Sequence, residues 1–221
     1  MQTLAQIHAM DVPISKDPNT LYEVMVRGYE EALQKLAIDE ECNKFNCETI
    51  KSCDLRTEFD WIKKAIERAD SPVIFCHNDF RSGNLLITEP NEELVICDFD
   101  DSGYGYRGYD FVALFKDWGQ RSSRYEPIDC FPFEDSEVTS LLESYVEECQ
   151  RIRGKCFSQN KQNSIEHILT EVKVFTVFTY LFKVIHVMKN DQNNNGFDLN
   201  RKVCMVSFVI FFDNYLIFSF S

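Results

Sequence analysis

Residues 77–84 read His-Asn-Asp-Phe-Arg-Ser-Gly-Asn, and residues 98–100 read Asp-Phe-Asp. The first stretch places Asp79 before Asn84 in one short loop, and the second stretch begins with Asp98. Read alone, the first stretch is an ordinary loop in which an Asp and an Asn form turns. The second stretch follows after one apolar run and a turn, and this combination makes a functional site the better interpretation.

Short apolar runs flank both stretches and are typical of buried strands. We predict three strands, at Val73–Cys76, Leu85–Ile87 and Leu94–Cys97. A polar turn beginning at Pro90 joins the second strand to the third, so that these two form a hairpin. We therefore expect Asp79, Asn84 and Asp98 to meet at one end of one small sheet.

This set of side chains suits kinase-type phosphoryl transfer, in which a carboxylate accepts the proton of the substrate hydroxyl. An Asn and a second Asp hold Mg²⁺ on the nucleotide phosphates, because Mg²⁺ prefers hard oxygen donors. We assign Asp79 as the catalytic base, and Asn84 and Asp98 as the ligands of Mg²⁺ on ATP. His77 is expected to fix the loop backbone rather than to carry a proton, and Asp100 to support the metal ligands.

The segment after this motif is more specific. Residues 98–118 read DFDDSGYGYRGYDFVALFKDW, which resembles the choline/ethanolamine kinase family, whose members carry D-F-E, a Tyr-rich segment, Y-R-G-[FY]-D and an acid before a Trp. The resemblance covers residues 1–204 and implies an α+β, mainly α-helical fold. That fold is the C-terminal lobe of a protein-kinase-like structure, with a small β-hairpin carrying the catalytic and metal residues. Residues 205–221 are expected to form an atypical hydrophobic tail.

The resemblance implies an ATP- and Mg²⁺-dependent transferase that phosphorylates the hydroxyl of choline or ethanolamine during phospholipid biosynthesis. It also implies that Tyr106 and Asp117 bind the substrate, and that the chain forms a dimer with itself or with a relative. A quaternary ammonium binds to aromatic faces and carboxylates. The family's aromatic positions, however, fall at Asp101, Lys183, His186 and Lys202. The sequence therefore does not rank choline above ethanolamine.

Family members begin with a lobe that carries a glycine-rich loop and a Lys–Glu pair over the ATP phosphates. Neither G-x-G-x-x-G nor a V-A-I-K-like strand occurs in this sequence, and we interpret Gly103-Tyr104-Gly105 as a turn. We expect the chain to begin after that lobe and to be inactive alone, because it lacks much of the phosphate stabilisation. Two alternatives stay open: an inactive family member that acts through protein interaction, and an aminoglycoside-type phosphotransferase, although that class generally lacks Y-R-G-Y-D.

Composition limits the classes of function. The net charge of −13 argues against nucleic acid as a partner, because its phosphates would be repelled. The nine cysteines lack CxxC spacing and the start of the chain lacks a signal peptide, so we expect reduced thiols in the cytoplasm. A zinc site at Cys42, Cys47 and Cys53 is the alternative. The apolar segment after residue 202 is interrupted and too short for a transmembrane helix.

Apolar spacing and capping residues predict the remaining elements. We expect helices from Leu21 toward Ile38, near Leu55–Ile66, and over Asp110–Trp118, Ser136–Arg151 and Ile165–Met188. Residues 153–163 are expected to form a polar linker, and Arg107 is expected to pair with Asp110 or another buried acid.

Overall fold

The computed structural model describes residues 1–18, 55–90, 92–115 and 135–190, together with single positions between 23 and 34. Side chains are described from 57 onward in the first of the long helices and up to 182 in the last. Two compact units divide the chain. The first contains Met1–Asn19, Ile66–Gln120 and Pro132–Phe175, and the second contains Thr20–Ala65, Arg121–Phe131 and Thr176–Ser221.

Helices predominate among the described elements. They are α1 (Gln2–His8), α2 (Leu55–Ala69), α3 (Arg107–Phe115), α4 (Asp135–Arg153), α5 (Cys156–Gln159) and α6 (Ile165–Asn190). Short 3-10 turns occupy Ser82–Asn84 and Lys161–Asn163. The strands are β1 (Val73–Cys76), β2 (Leu85–Thr88), β3 (Glu93–Ile96) and β4 (Gly103–Tyr106).

The expected single sheet is wrong, because the described strands form two separate antiparallel pairs. Strand β2 pairs with β3 as the predicted hairpin, whereas β1 pairs with β4 so that Cys76 lies opposite Gly103. Residues 103–105 are thus strand rather than turn. Gly105 serves close backbone approach there, since a Cβ atom would lie 3.2 Å from Oδ1 of Asn78 and 3.8 Å from the sulfur of Cys76.

In the first unit, α1 packs against α4 and β1. Leu4 of α1 and Leu142 of α4 are fully buried, and each such side chain contributes about 1.5–3 kcal/mol through removal from water. Phe111 of α3 completes this core, with its ring 4.9 Å from that of Tyr145 and nearly perpendicular to it.

The buried apolar side chains described in the second unit belong to α2 and α6. Phe59 and Ile62 of α2, which the sequence predicted to belong to one apolar stripe, are buried, and Ala65 is buried beside them along the chain. Val177, Phe178 and Leu181 of α6 are buried as well. Among the described helices, none has the length and hydropathy needed to cross a lipid bilayer.

The other predicted elements are largely confirmed, with changed boundaries. Helix α3 begins at Arg107, earlier than expected, because two residues that directly precede β1 accept hydrogen bonds from its first amides. Arg107 N donates to Pro72 O (3.1 Å), and Gly108 N donates to Ser71 Oγ (3.2 Å). The expected linker at 153–163 contains α5 and a 3-10 turn. The predicted helix from Leu21 toward Ile38 lies mostly outside the described residues. The predicted end of the Asp110–Trp118 helix and the hydrophobic tail lie wholly outside them.

Candidate active site

The catalytic loop, defined here as residues 77–84, leaves the end of β1 and leads into β2. Within it the predicted base and a predicted metal ligand touch: Asn84 Nδ2 donates to Asp79 Oδ2 at 2.9 Å. The same nitrogen donates to the Asp79 carbonyl, also at 2.9 Å. Asn84 is buried, and because both of its amide hydrogens are used, its Oδ1 is left as the acceptor atom.

The Asp79 carboxylate is held from a second side. Arg81 Nε donates to its Oδ2 at 2.8 Å, in an ion pair whose partners are 45% and 29% exposed. Solvent screening limits such a pair to about 1 kcal/mol at most. Its effect is mainly orientation: Oδ2 is engaged by two donors, whereas Oδ1 receives none of the described hydrogen bonds.

Asp98 is brought beside this loop by the backbone. Cys97 N donates to the carbonyl of Asn84 at 3.1 Å, so Asp98 lies one residue beyond a direct link to Asn84. Its side chain is exposed, and its φ of 66° is in the left-handed region, as is the φ of 65° at Asn78. Asn and Asp adopt that region more readily than most residues, and such conformations cluster at functional sites.

His77 connects the loop to the Asp-Phe-Asp stretch. Its Nε2 lies 3.0 Å from the carbonyl oxygen of Cys97, and its Nδ1 lies 3.4 Å from the amide nitrogen of Asp79. A neutral imidazole with the proton on Nε2 satisfies both contacts, donating to Cys97 and accepting from Asp79. Both ring nitrogens thus contact backbone groups, which agrees with the predicted role of His77 in fixing the loop.

Asp110 of α3 anchors the start of the loop, a role that sequence reasoning missed. Its two carboxylate oxygens accept from the amides of His77 (2.6 Å) and Asn78 (2.7 Å). The side chain is fully buried, and charge-assisted bonds of this kind are stronger than neutral ones. One signal was available: an acid in an otherwise apolar helix must find donors when it is buried.

Behind Asp110 stands His8 of α1. His8 Nε2 lies 3.1 Å from Asp110 Oδ2, and His8 Nδ1 lies 2.9 Å from the hydroxyl of Tyr145. Burial lowers the pKa of His8, and the neighbouring Asp110 only partly opposes that shift. A neutral imidazole that donates to Asp110 and accepts from Tyr145 fits both distances.

Arg107 pairs with Glu171 of α6 rather than with Asp110. The guanidinium bonds both carboxylate oxygens, and its Nη1 donates to Asn163 Oδ1 at 2.7 Å. Ser71 Oγ donates to the same carboxylate at 2.7 Å. All of these groups are buried, so the pair is structural support that joins α3 to α6 within the first unit.

The predicted substrate residues are not brought to the loop by the described structure. Tyr106 lies opposite Val73, at the far end of the β1–β4 ladder from Cys76, which is about 10 Å away along the strand. Its ring packs 5.7 Å from that of Phe175, and burial chiefly raises the pKa of Tyr106. Asp117 lies outside the described residues.

The negative charges in and around the catalytic loop affect the pKa of Tyr109. Burial, followed by the negative charges of Asp110, Asp79 and Asp101, raises the pKa of Tyr109 to about 12. The phenol of Tyr109 therefore stays protonated at neutral pH.

Comparison with known proteins points to one family. The profile of the choline/ethanolamine kinase family matches residues 1–208. Choline/ethanolamine kinase of Homo sapiens is 30% identical over 190 residues, which span 81% of this chain and 46% of that protein. Ethanolamine kinase 1 of Homo sapiens is 26% identical over 181 residues, with 81% and 39% spanned. The chain thus spans about half the length, or less, of these curated relatives.

Solved structures agree on the fold. An ethanolamine kinase of Plasmodium vivax superimposes with a TM-score of 0.64 at 15% identity, covering 94% of this chain and 57% of that one. A choline kinase of Cryptosporidium parvum gives 0.61 at 18% identity, covering 99% and 64%. The predicted fold class, a mainly helical α+β lobe of this type, is confirmed.

Proposed function

The chain belongs to the choline/ethanolamine kinase family, and we propose that it carries the base and the metal ligands for ATP-dependent phosphorylation of choline or ethanolamine. The observation that supports this most directly is the 2.9 Å bond from Asn84 Nδ2 to Asp79 Oδ2. It fixes a carboxylate and an amide in one loop whose backbone is anchored by Asp110. Such preorganisation is what positional catalysis of phosphoryl transfer requires.

Asp79 acts as the base in this proposal. Its Oδ2 is engaged by Asn84 and Arg81, so its Oδ1 accepts the proton of the substrate hydroxyl. The hydroxyl oxygen then attacks the γ-phosphorus of ATP, the bond from that phosphorus to the β,γ-bridging oxygen breaks, and ADP leaves. General-base assistance of this kind contributes about 10²–10⁴-fold to a rate.

Asn84 and Asp98 fit Mg²⁺ by the chemistry of their donors. Both amide hydrogens of Asn84 are donated to Asp79, so the Asn84 Oδ1 atom is left to bind the ion. Asp98 supplies an exposed carboxylate. Hard oxygen ligands of this kind suit Mg²⁺. When bound, the ion neutralises charge on the phosphates of the nucleotide.

The amino-alcohol substrate is less well specified. A net charge of −13 favours a cationic substrate, and the negative charge of Asp79 contributes to the raised pKa of Tyr109. Substrate roles for Asp117 and Tyr106 stay predictions, as do a cytoplasmic location, a role in phospholipid synthesis and pairing with family members.

The test is transfer of labelled γ-phosphate from ATP to choline and to ethanolamine. Because the chain spans about half of its relatives, it is assayed alone and joined to the part of the human relative that it does not span. We expect Mg²⁺-dependent product from the joined protein and loss of product in the Asp79→Asn variant. Absence of product with both alcohols in both forms would contradict the proposal.

A second candidate is an inactive family member that acts through protein interaction. It is favoured by Lys183 and His186, which occupy late-helix positions where the family has tryptophan. This candidate predicts no turnover in either form of the assay. No observation on the described residues favours an aminoglycoside-type phosphotransferase over the family that the chain matches.

A further inference from the structure

A cavity of about 340 Å³ lies in the first unit, apart from the catalytic loop. Its walls come from α1, the segment that enters β1, the start of α3, α4, α5 and the turn at residues 160–163. This volume is at the lower end of the range of about 300–1,000 Å³ that is typical of small-molecule sites. None of the residues assigned above to catalysis or to the metal lines it.

The charge of this cavity is opposite to that of the protein. The whole chain carries −13, yet the described residues that line the cavity include two arginines and no acid. Arg107 is neutralised by its pair with Glu171. Arg153 donates Nη2 to the carbonyl of His8 at 2.6 Å, and the described ion pairs give it no carboxylate partner. One positive charge is therefore left uncompensated at this wall.

Two side chains that line the cavity also retain N–H donors for which no acceptor is described. Four of the five N–H groups of Arg107 meet described acceptors, on Glu171, Asn163 and Gln162, which leaves one N–H on Nη1 of a side chain that is only 1% exposed. Arg153 uses one N–H on His8 and retains the rest. An unpaired buried donor is costly unless a ligand or water accepts from it.

We propose that this cavity binds a small organic oxyanion, a carboxylate or a phosphate monoester. The oxyanion accepts from Arg153 and from the remaining N–H of Arg107, since guanidinium groups recognise planar and phosphate oxyanions through paired N–H bonds. The carbon part of the ligand lies against Ile74, Phe157 and Pro72, which supply the apolar wall.

Cys156 provides a local probe, because it lines the cavity and is exposed. The alkylation rate of Cys156 is followed by peptide-resolved mass spectrometry in the full chain, with glycerol 3-phosphate or butyrate added. We expect saturable protection by at least one of the two anions, about tenfold at roughly ten times its Kd. Protection by one alone identifies the head group as phosphate or carboxylate, and protection by both defines a general oxyanion site.

Arg153→Gln should abolish the protection. Arg151→Gln is the matched control, because Arg151 is on the same helix, pairs with Glu148 and does not line the cavity. Arg153→Lys keeps the positive charge but loses the paired N–H groups of the guanidinium, and it should therefore retain part of the protection. The proposal would be overturned if neither anion changed the alkylation rate of Cys156 in the wild-type chain. It would also be overturned if the Arg153→Gln variant were protected as well as the wild-type chain.

Discussion

Asp79 is oriented by residues that do not contact the substrate in our proposal. Asp110 accepts the amides of His77 and Asn78, the two residues that precede Asp79, and His8 donates to Asp110 from behind. The carboxylate of Asp110 is fully buried, so its partners must stay in place to satisfy it. The position of Asp79 therefore depends on a buried chain of hydrogen bonds that runs from the loop through Asp110 and His8 to Tyr145.

Replacing Asp79 by Asn should remove the base while keeping a side chain of the same shape. We expect phosphoryl transfer by the joined protein to fall by about 10²–10⁴-fold, with an unchanged melting temperature. Steady-state rates at saturating ATP, together with thermal unfolding, measure the two quantities. A rate within a few-fold of wild type would remove Asp79 from the mechanism.

His8 should make stability depend on pH. The pKa of His8 in the folded chain lies below the ordinary value of 6.5. As pH falls, the unfolded chain therefore binds a proton on His8 before the folded chain does. The free energy of unfolding should therefore fall as pH drops below 6.5, by at most about 1.4 kcal/mol per pH unit. Urea unfolding between about pH 6.5 and pH 5.5 measures this slope.

The His8→Gln variant is the comparison for that slope. It should be less stable at every pH but should lack the His8 component of the slope. The pKa of Glu148 is lowered to about 2, chiefly by Arg151. The contribution of Glu148 to the free energy of unfolding is therefore lost only below its ordinary pKa of 4.5, which is outside this pH window. Equal slopes in the two proteins would show that His8 takes up its proton equally in the folded and unfolded chains.

Among the elements, those with local signals were predictable and those defined by distant pairing were not. Strand β1 was predicted with its observed ends, because Val73–Cys76 is a compact apolar run. Strand β4 was missed, since its glycines read as a turn and its partner β1 lies far away in the sequence. Likewise Asp79, Asn84 and Asp98 followed from spacing, whereas the anchoring by Asp110 depends on a tertiary contact.

Helix α3 approaches α6 closely at Gly108. A Cβ atom there would lie 2.5 Å from Cδ2 of Phe175 and 3.0 Å from Cβ of Glu171. Gly108→Ala should therefore lower the free energy of unfolding by about 1–3 kcal/mol through overpacking. Gly28→Ala is the matched control, because Gly28 is helical with open space around its Cβ position and should gain up to about 1 kcal/mol. Urea titration compares the two, and a neutral Gly108→Ala would contradict the close approach.

At the scale of the whole molecule, the part of α6 that belongs to the first unit makes a buried ion pair through Glu171 and a more exposed one through Lys173. The chain resembles part of a larger family fold, and its fold class was accessible from the motif at residues 98–118. The division into two units was not, because it depends on how α2 and α6 are shared between them.

The two ion pairs should differ greatly in their effect on stability. Glu171→Gln leaves Arg107 charged and buried and should cost about 3–5 kcal/mol. Asp135→Asn breaks the pair with Lys173, in which Asp135 is 58% exposed, and should cost no more than about 1 kcal/mol. Chemical unfolding of both variants measures the difference, and similar losses would show that Arg107 finds another partner.

The central claim is that Asn84 and Asp98 bind one divalent ion beside Asp79, and paramagnetic broadening by Mn²⁺ in place of Mg²⁺ tests it most directly. In amide spectra of the isotope-labelled chain, we predict saturable broadening centred on residues 79, 84 and 98, displaced by excess Mg²⁺ and abolished by Asp98→Asn. Broadening spread evenly over the acidic surface, or centred elsewhere and unchanged in Asp98→Asn, would contradict the account.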